Sequence, residues 1–419
     1  MTILKGRAIT SCRACSGALS IPFCDLGAQP VANSYVAMEE RDRPDPVFPL
    51  NVRVCERCKL AQLDHVVDAG AIFSDYAYLS SVSAGWLAHA RAFSETMIQR
   101  LGLDAESFVV EVASNDGYLL RNFVAAGIPC LGIEPAANVA AIAVAAGIPT
   151  ETRFFGREAA AAILRERNRA PDLIIANNVL AHVPDVEDFV AGLSLLAGDH
   201  GIVSIEAPHL VRLVENVQFD TIYHEHYAYW SLLAAERVLN RHGLAIVDVE
   251  RLPTHGGSLR LFARRAESSL HPSPMLEAIR AEEAAAGLDS PSFYDGFEPR
   301  VRAVLDAFRT YLDESRAAGR KVAAYGAAAK GNTFLNAVGA TADDIALVAD
   351  ANPLKQGRLL PGSRIPIVSP DALLAAQPDD IVILPWNIAP EIMRNLSAKG
   401  WKGRFVTAIP SLSIHENSP

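Results

Sequence analysis

VVEVASNDG, residues 109–117, decides how the fold is read: an apolar strand ends in small and polar residues ahead of a helix expected from near Tyr118. In a doubly wound sheet a ligand binds beyond the carboxyl end of such a strand, where small residues let the backbone approach it. Glu111, Ala113, Ser114, Asn115, Asp116 and Gly117 are therefore candidate cofactor contacts. The segment lacks the G-x-G-x-x-G spacing that suits a pyrophosphate, which counts against a nicotinamide dinucleotide. Outward from it, LGIEP ends in Glu134, placed to accept hydrogen bonds from ribose hydroxyls, and DLIIANNVLAHVPD carries Asn177 and Asn178, suited to adenine or methionine. Each strand end alone also fits a plain strand-to-helix turn. Together they favour S-adenosylmethionine.

Short apolar runs alternate with Ala-rich helical stretches from residue 108 onward, which predicts a parallel sheet with right-handed crossovers. IVDVERLPTHGGSLRLFARR, residues 246–265, reads instead as two adjacent strands around a Gly-Gly turn. A long helical region is expected over about 275–318, then a second strand-turn-helix unit at KVAAYGAAAKGNTFLNAV with further strands at IALVAD, DIVILPW and RFVTAIP. Two doubly wound α/β units in one chain follow. Residues 73–102 read as a loop and an amphipathic helix, with Trp86, Ala90, Phe93 and Met97 at helical spacing.

The chain has 419 residues, half of them apolar, so two or three domains with filled cores are expected. A formal net charge of −10 and the absence of a Lys/Arg run argue against nucleic-acid binding and for small-molecule partners. No run approaches the roughly 18 apolar residues that span a bilayer, and no apolar leader is apparent, so a cytoplasmic protein with no membrane partner is expected, as a monomer.

Five of the six cysteines lie in the first 58 residues. Cys12-x-x-Cys15 and Cys55-x-x-Cys58 are two knuckles whose four thiolates suit tetrahedral zinc, and a closed four-sulfur site leaves no position for substrate, so the ion is structural. Redox-active thiols are the competing reading. Cys24 and Cys130 read as small buried hydrophobes.

QFDTIYHEHYAYWS, residues 218–231, concentrates titratable and aromatic groups. A C-methylation needs a base near the working pH, and histidine suits it. His226 is the candidate, with Tyr223 or Glu225 to orient sugar or ring. A second metal site at H-E-H and a purely structural cluster are the alternatives.

The chain resembles the sugar 3-C-methyltransferases of deoxysugar pathways, which act on nucleotide-linked 4-keto sugars. The matching pieces span nearly the whole chain: both CxxC pairs with LGAQPVANSY, YAYLSSVSAGW, EVASNDGYLL, NVLAHVPD, QFDTIYHEHYAYWS, HGGSLR, YGAAAKGNT, and DANPLKQGRLLPGSRIPIVSP with ILPWN. The resemblance implies a zinc-binding domain over 1–68, a central Rossmann-like class I methyltransferase domain over 69–265, and a carboxyl-terminal Rossmann-like domain over 266–419 that helps hold the nucleotide sugar. It implies that His226 takes the proton beside the ketone, with Tyr223 and Glu225 as active-site residues beside it and Tyr76 near the sugar, and that His182 of NVLAHVPD lies at the cofactor. One departure stands out: Ala113 occupies a position where methyltransferases of this class usually have glycine.

An enolate oxygen needs a donor, for which His224, a tyrosine hydroxyl or a backbone N–H compete. In YGAAAKGNT, small residues at a helix start with Lys330 suit a phosphate, although a plain Ala-packed helix start fits as well. The resemblance adds Asn332, Lys355 and Arg358 as substrate contacts. His255 and Arg260 of HGGSLR either reach the same substrate or form a tight hairpin. A nicotinamide-dependent oxidoreductase or epimerase, a methyltransferase with a different acceptor, and a non-catalytic sugar-binding protein are the rival functions.

Overall fold

The computed structural model describes residues 5–73, 79–266 and 272–416. Among these, a central seven-stranded sheet runs in the order Leu244–Leu252, Ser258–Arg265, Ile202–Pro208, Leu173–Ile175, Val109–Val112, Cys130–Ile133, Thr150–Glu151. The five strands from Ile202–Pro208 to Thr150–Glu151 are parallel. The 246–265 segment forms the expected hairpin, both of its pairings antiparallel. Chain order reverses direction on the two sides of Val109–Val112, so a crevice opens at that strand's carboxyl end.

Helices cover both faces. Val110, Val112, Ile174, Val203 and Ile205 share one core with Phe189 and Leu193 of helix Val186–Ala197, which Asp185 caps by accepting the Asp188 N–H at 3.0 Å. Val109, Leu173 and Ile175 face the other side, against Ala90, Phe93 and Met97 of helix Ala84–Leu101. That helix starts where the Ser83 hydroxyl accepts the Trp86 N–H and stops at Gly102, whose φ of +63° is left-handed. The helix expected near Tyr118 begins at Leu120.

The expected 275–318 helical region is broken into Pro274–Ala286, Ser292–Asp295 and Phe297–Ala317, the first ending at Gly287 in the left-handed region. Leu276 and Ile279 of helix Pro274–Ala286 pack into the central core, so that core extends past residue 265. The second doubly wound unit is a six-stranded sheet, in the order Ile367–Val368, Val348–Ala349, Val322–Tyr325, Asp380–Ile383, Arg404–Thr407, Ser413–His415, parallel except at its last strand.

The amino-terminal unit carries an antiparallel sheet of Ile21–Pro30, Val47–Val54 and Ala61–Leu63, to which Ala228–Tyr229, within the 218–231 segment, adds as an edge strand. Arg358–Leu359 of the carboxyl-terminal unit pairs with Val36–Ala37. The amino-terminal unit is thereby wedged against both others. Among the described residues no helix is long and apolar enough to cross a membrane.

Candidate active site

A cavity of about 510 Å³ lies at the carboxyl ends of the central strands and draws its walls from all three parts of the chain. Asn33 and Tyr35 come from the amino-terminal unit; Ala113, Asn115, Glu134, Asn177, Asn178 and His182 from the central strand ends; Tyr223, Glu225, His226 and His255 from the segments beyond; Lys330 and Lys355 from the carboxyl-terminal unit.

At the strand-end side the backbone is unusual. Ala113, Asn115 and Asn178 have φ of +55°, +49° and +57°. A left-handed position tolerates glycine best, which is the physical reason for expecting glycine at 113. Both carboxylate oxygens of Glu134 accept backbone N–H groups, from Asn115 and Ala136 at 2.9 Å each, and burial raises its pKa above the usual carboxylate range. Among the described residues the Asn178 amide finds no partner for its nitrogen or its oxygen, although both are buried and the residue lines the cavity. Such an unmet donor and acceptor in a wall is what a polar ligand satisfies. The residues fit the adenosyl and amino-acid ends of S-adenosylmethionine.

Asn115 and Asp116 have a further task. Their side-chain oxygens accept the N–H groups of Ser80 and Ser81 at 2.9 and 3.1 Å, which docks the segment before helix Ala84–Leu101 onto the strand-end turn.

The reactive segment brings its groups together. His226 Nδ1 lies 2.9 Å from the Thr221 carbonyl, which only accepts, so Nδ1 carries the proton and Nε2 is bare. The Tyr223 hydroxyl, 2.7 Å away, donates to that Nε2. Burial, then the neighbouring His182, push the His226 pKa well below its ordinary value, so the ring is neutral. The His182 ring meets it edge-on at 4.7 Å, its Nδ1–H donating to the Glu225 carbonyl at 2.8 Å, and burial lowers its pKa to about 4. Glu225 accepts from the Asn33 amide at 3.3 Å through one oxygen, while its buried Oε2 has no partner among the described residues; burial raises its pKa to about 7.

On the carboxyl-terminal side, Lys330 stands at the start of helix Ala329–Val338, its Nζ 2.8 Å from Asn387 Oδ1 and 5.1 Å from the Trp386 ring centre. Trp386 in turn donates its indole N–H to Asp220 at 2.8 Å, and burial raises the Asp220 pKa to about 6 against the pull of Lys330. Lys355 donates to the Ala327 carbonyl at 2.9 Å and lies over the Tyr35 ring.

Several expected contacts are placed elsewhere. Glu111 stands on the strand face opposite Val112, sharing its side with Cys130 and away from the cavity. Ser114 packs against Gly132. Gly117 is required by the turn: its φ is +76°, and a Cβ there would lie 2.3 Å from Ile148. Neither Ser114, Asp116 nor Gly117 lines the cavity. His224 points its Nε2 at the Phe48 carbonyl, 3.2 Å away, and does not line the cavity, and among the described residues the four knuckle cysteines are the only group of His, Cys, Asp or Glu close enough together to hold a metal. Arg260 is held by Glu206 and Glu250 at 2.8 and 2.9 Å and its guanidinium covers Phe93. Asn332 is buried and donates to the Ala32 carbonyl. Arg358 sits in the strand pairing with Ala37 and lines no part of the cavity. Tyr76 lies outside the described residues.

Sequence reasoning missed Asn33, Tyr35 and Glu206 as cavity residues. Glu206 was legible as the single carboxylate in the apolar run GIVSIEAP. Burial works against its charge, but hydrogen bonds from His89 and Arg260 hold its pKa at about 2.

The four knuckle cysteines are buried with all ligand sulfurs within 4.8 Å of one another, close to the roughly 3.8 Å S–S separation of a tetrahedral zinc site with Zn–S of about 2.3 Å. Cys12 Sγ accepts the Gln62 amide at 3.1 Å and the Ala14 N–H at 3.4 Å, and Cys55 Sγ accepts the Arg57 N–H at 3.4 Å, donors that suit thiolates. The donor set fits zinc.

Comparison with known proteins agrees with this geometry. Residues 12–73 match a family described as "Putative zinc binding domain", residues 86–249 one described as "Methyltransferase domain", and residues 253–410 one described as "C-methyltransferase C-terminal domain". Among solved structures, magnesium protoporphyrin IX methyltransferase of Synechocystis PCC 6803 with bound SAH is 17% identical, covering 43% of this chain and 84% of that one at a TM-score of 0.33. The PH0226 protein of Pyrococcus horikoshii OT3 is 9% identical, covering 45% and 94% at 0.36. The C-methyltransferase NovU of Streptomyces niveus is 36% identical over 407 residues, 96% of each chain. With identity of that extent across all three units, the chain belongs to the S-adenosylmethionine-dependent C-methyltransferases.

Proposed function

We propose that the chain methylates C3 of a nucleotide-linked 4-keto sugar through an enolate, with His226 as the base. The observation that carries this reading is the bare Nε2 of His226, its tautomer pinned by the Thr221 carbonyl and its lone pair already engaged by the Tyr223 hydroxyl in the wall of the cavity. A ketone acidifies the proton on the adjacent carbon, and a neutral imidazole within hydrogen-bond reach removes it. The Tyr223 hydroxyl, displaced from Nε2 by the substrate, is then the donor nearest the developing oxyanion.

S-adenosylmethionine, when bound, supplies an electrophilic methyl group. On this reading Glu134 takes the ribose hydroxyls, and Asn177 and Asn178 the adenine or the amino-acid end. Bringing a cation and an enolate together destroys charge, so the chain's contribution is a dry pocket and a fixed approach. Lys330 and Lys355 place positive charge on the carboxyl-terminal side, where the diphosphate of a nucleotide sugar would lie. Residues 1–68, 69–265 and 266–419 on this reading hold the zinc, the methyl donor and the nucleotide, with the keto sugar between them.

The test is mass spectrometry of the enzyme with S-adenosylmethionine and dTDP-, GDP- and CDP-linked 4-keto sugars. The expected result is the gain of one methyl in place of hydrogen on one nucleotide class. No gain on any of them, with the methyl donor still bound, would remove this acceptor class.

A further inference from the structure

Arg13 lies between the first two cysteines of the knuckle pair, yet its side chain leaves the cysteine centre and ends among the loops of the active site. Nη1 donates to the carbonyls of Val183 and Pro184 at 2.9 and 3.0 Å, and Nη2 donates to the carbonyl of Tyr227. Val183 directly follows His182, and Tyr227 directly follows His226. The same two loops are stitched to each other by the Tyr227 N–H on the Ala181 carbonyl at 2.7 Å and by His182 Nδ1–H on the Glu225 carbonyl. The other end of Arg13 is anchored as well: its backbone N–H donates to Gln62 Oε1 at 3.1 Å, and the Gln62 amide donates to Cys12 Sγ.

We propose that Arg13 is a positioning residue that locks the loops carrying His182 and His226 onto the cysteine centre. Residues 183–185 and 222–227 lie outside regular helix or strand, and of the three carbonyls that Arg13 meets, that of Tyr227 also accepts the Leu63 N–H at 3.1 Å from the amino-terminal sheet. One planar fork meets all three at once, which an ammonium on a flexible stem does not reproduce. The cysteine centre thereby does more than stabilise the amino-terminal unit: through Arg13 it sets where the two imidazoles stand. A shift of about 1 Å in a reacting group costs on the order of 100-fold in rate. The inference rests on the reading of His226 as the base, and its test separates the two.

Full-length Arg13→Met and Arg13→Lys are compared with wild type for zinc content, methyl-donor affinity, kcat and KM for the nucleotide sugar, exchange of the C3 proton in deuterated water, and amide exchange of peptides spanning 179–184 and 222–228. Arg13→Met is expected to keep its zinc and bind the methyl donor, to lose about 10- to 100-fold in kcat and in C3 exchange together, and to change KM less than about threefold, with faster amide exchange in both peptides. Arg13→Lys recovers part of the loss. Unchanged amide exchange, or wild-type kcat and C3 exchange in zinc-replete Arg13→Met, would overturn the proposal. If the Met variant fails to fold, Arg13→Lys decides by the same two measurements. Should C3 exchange survive His226→Asn, the base is misassigned, while faster amide exchange in the Arg13 variants still supports the lock.

Discussion

Ala113 shows how a single position carries a constraint that its neighbours do not. Its φ of +55° costs an alanine about 1 kcal/mol relative to glycine, while a glycine there would lose a comparable amount through the flexibility of the unfolded chain. Ala113→Gly is therefore expected to leave stability within about 0.5 kcal/mol of wild type in chemical denaturation, and to keep methyl-donor binding. Glu225 offers a sharper test. Its pKa, raised by burial from an ordinary 4.5 to about 7, means that the folded chain holds a proton the unfolded chain gives up. That contribution is fully present below about pH 4.5 and is lost as pH rises through about 7. Glu225→Gln carries no such loss, so its stability relative to wild type should rise across that window by on the order of 1–3 kcal/mol, read from denaturation curves at each pH. A difference that is constant with pH would mean that Glu225 is already ionised when folded.

At the scale of elements, two knuckles from separate hairpins meet at one centre, and their thiols resist sharing it without a cation. Hydrogen bonds from Cys55 and Cys58 hold the Cys12 thiol down to about 3, while the same pairing pushes Cys58 up. A divalent ion lets all four ionise. Cys12→Ser is expected to lose stoichiometric zinc and lower Tm by about 5–10 °C, checked by metal analysis and thermal unfolding. A second joint ties the reactive segment to the carboxyl-terminal unit, where Trp386 donates to the buried Asp220. Trp386→Phe leaves that carboxyl without its donor and should cost about 1–3 kcal/mol in urea unfolding, whereas a loss below about 0.5 kcal/mol would mean that water replaces the indole. Strand alternation and the 246–265 hairpin were legible because their patterns are local. Arg260, expected either at the substrate or in a tight hairpin, lies directly across from Glu206 on one neighbouring strand and Glu250 on the other, pairings that no linear motif displays.

Across the whole molecule, the amino-terminal unit acts as a wedge. Cys12, Cys15 and Leu60 pack into the core of the central sheet, while Ile21, Phe23 and Leu50 pack with Phe308 and Phe334 of the carboxyl-terminal unit. The cavity therefore forms only where three parts meet, and its residues were legible in proportion to how near they lie to a motif. Tyr223, Glu225, His226 and His182 converge because two short loops fold against each other. Asn33, which reaches Glu225 from 192 positions away in the chain, depends on the wedge and on nothing local. Asn332 and Arg358 sit at the same junction, where one bonds to the Ala32 carbonyl and the other pairs with Ala37.

The measurement that bears most directly on the proposed chemistry is exchange of the substrate's C3 proton in deuterated water, without methyl donor, in wild type and in His226→Asn. Exchange by the wild type that stops in the variant, with methyl-donor affinity kept, is the predicted result. Exchange that persists in His226→Asn would contradict it and pass the role of base to Tyr223 or Glu225.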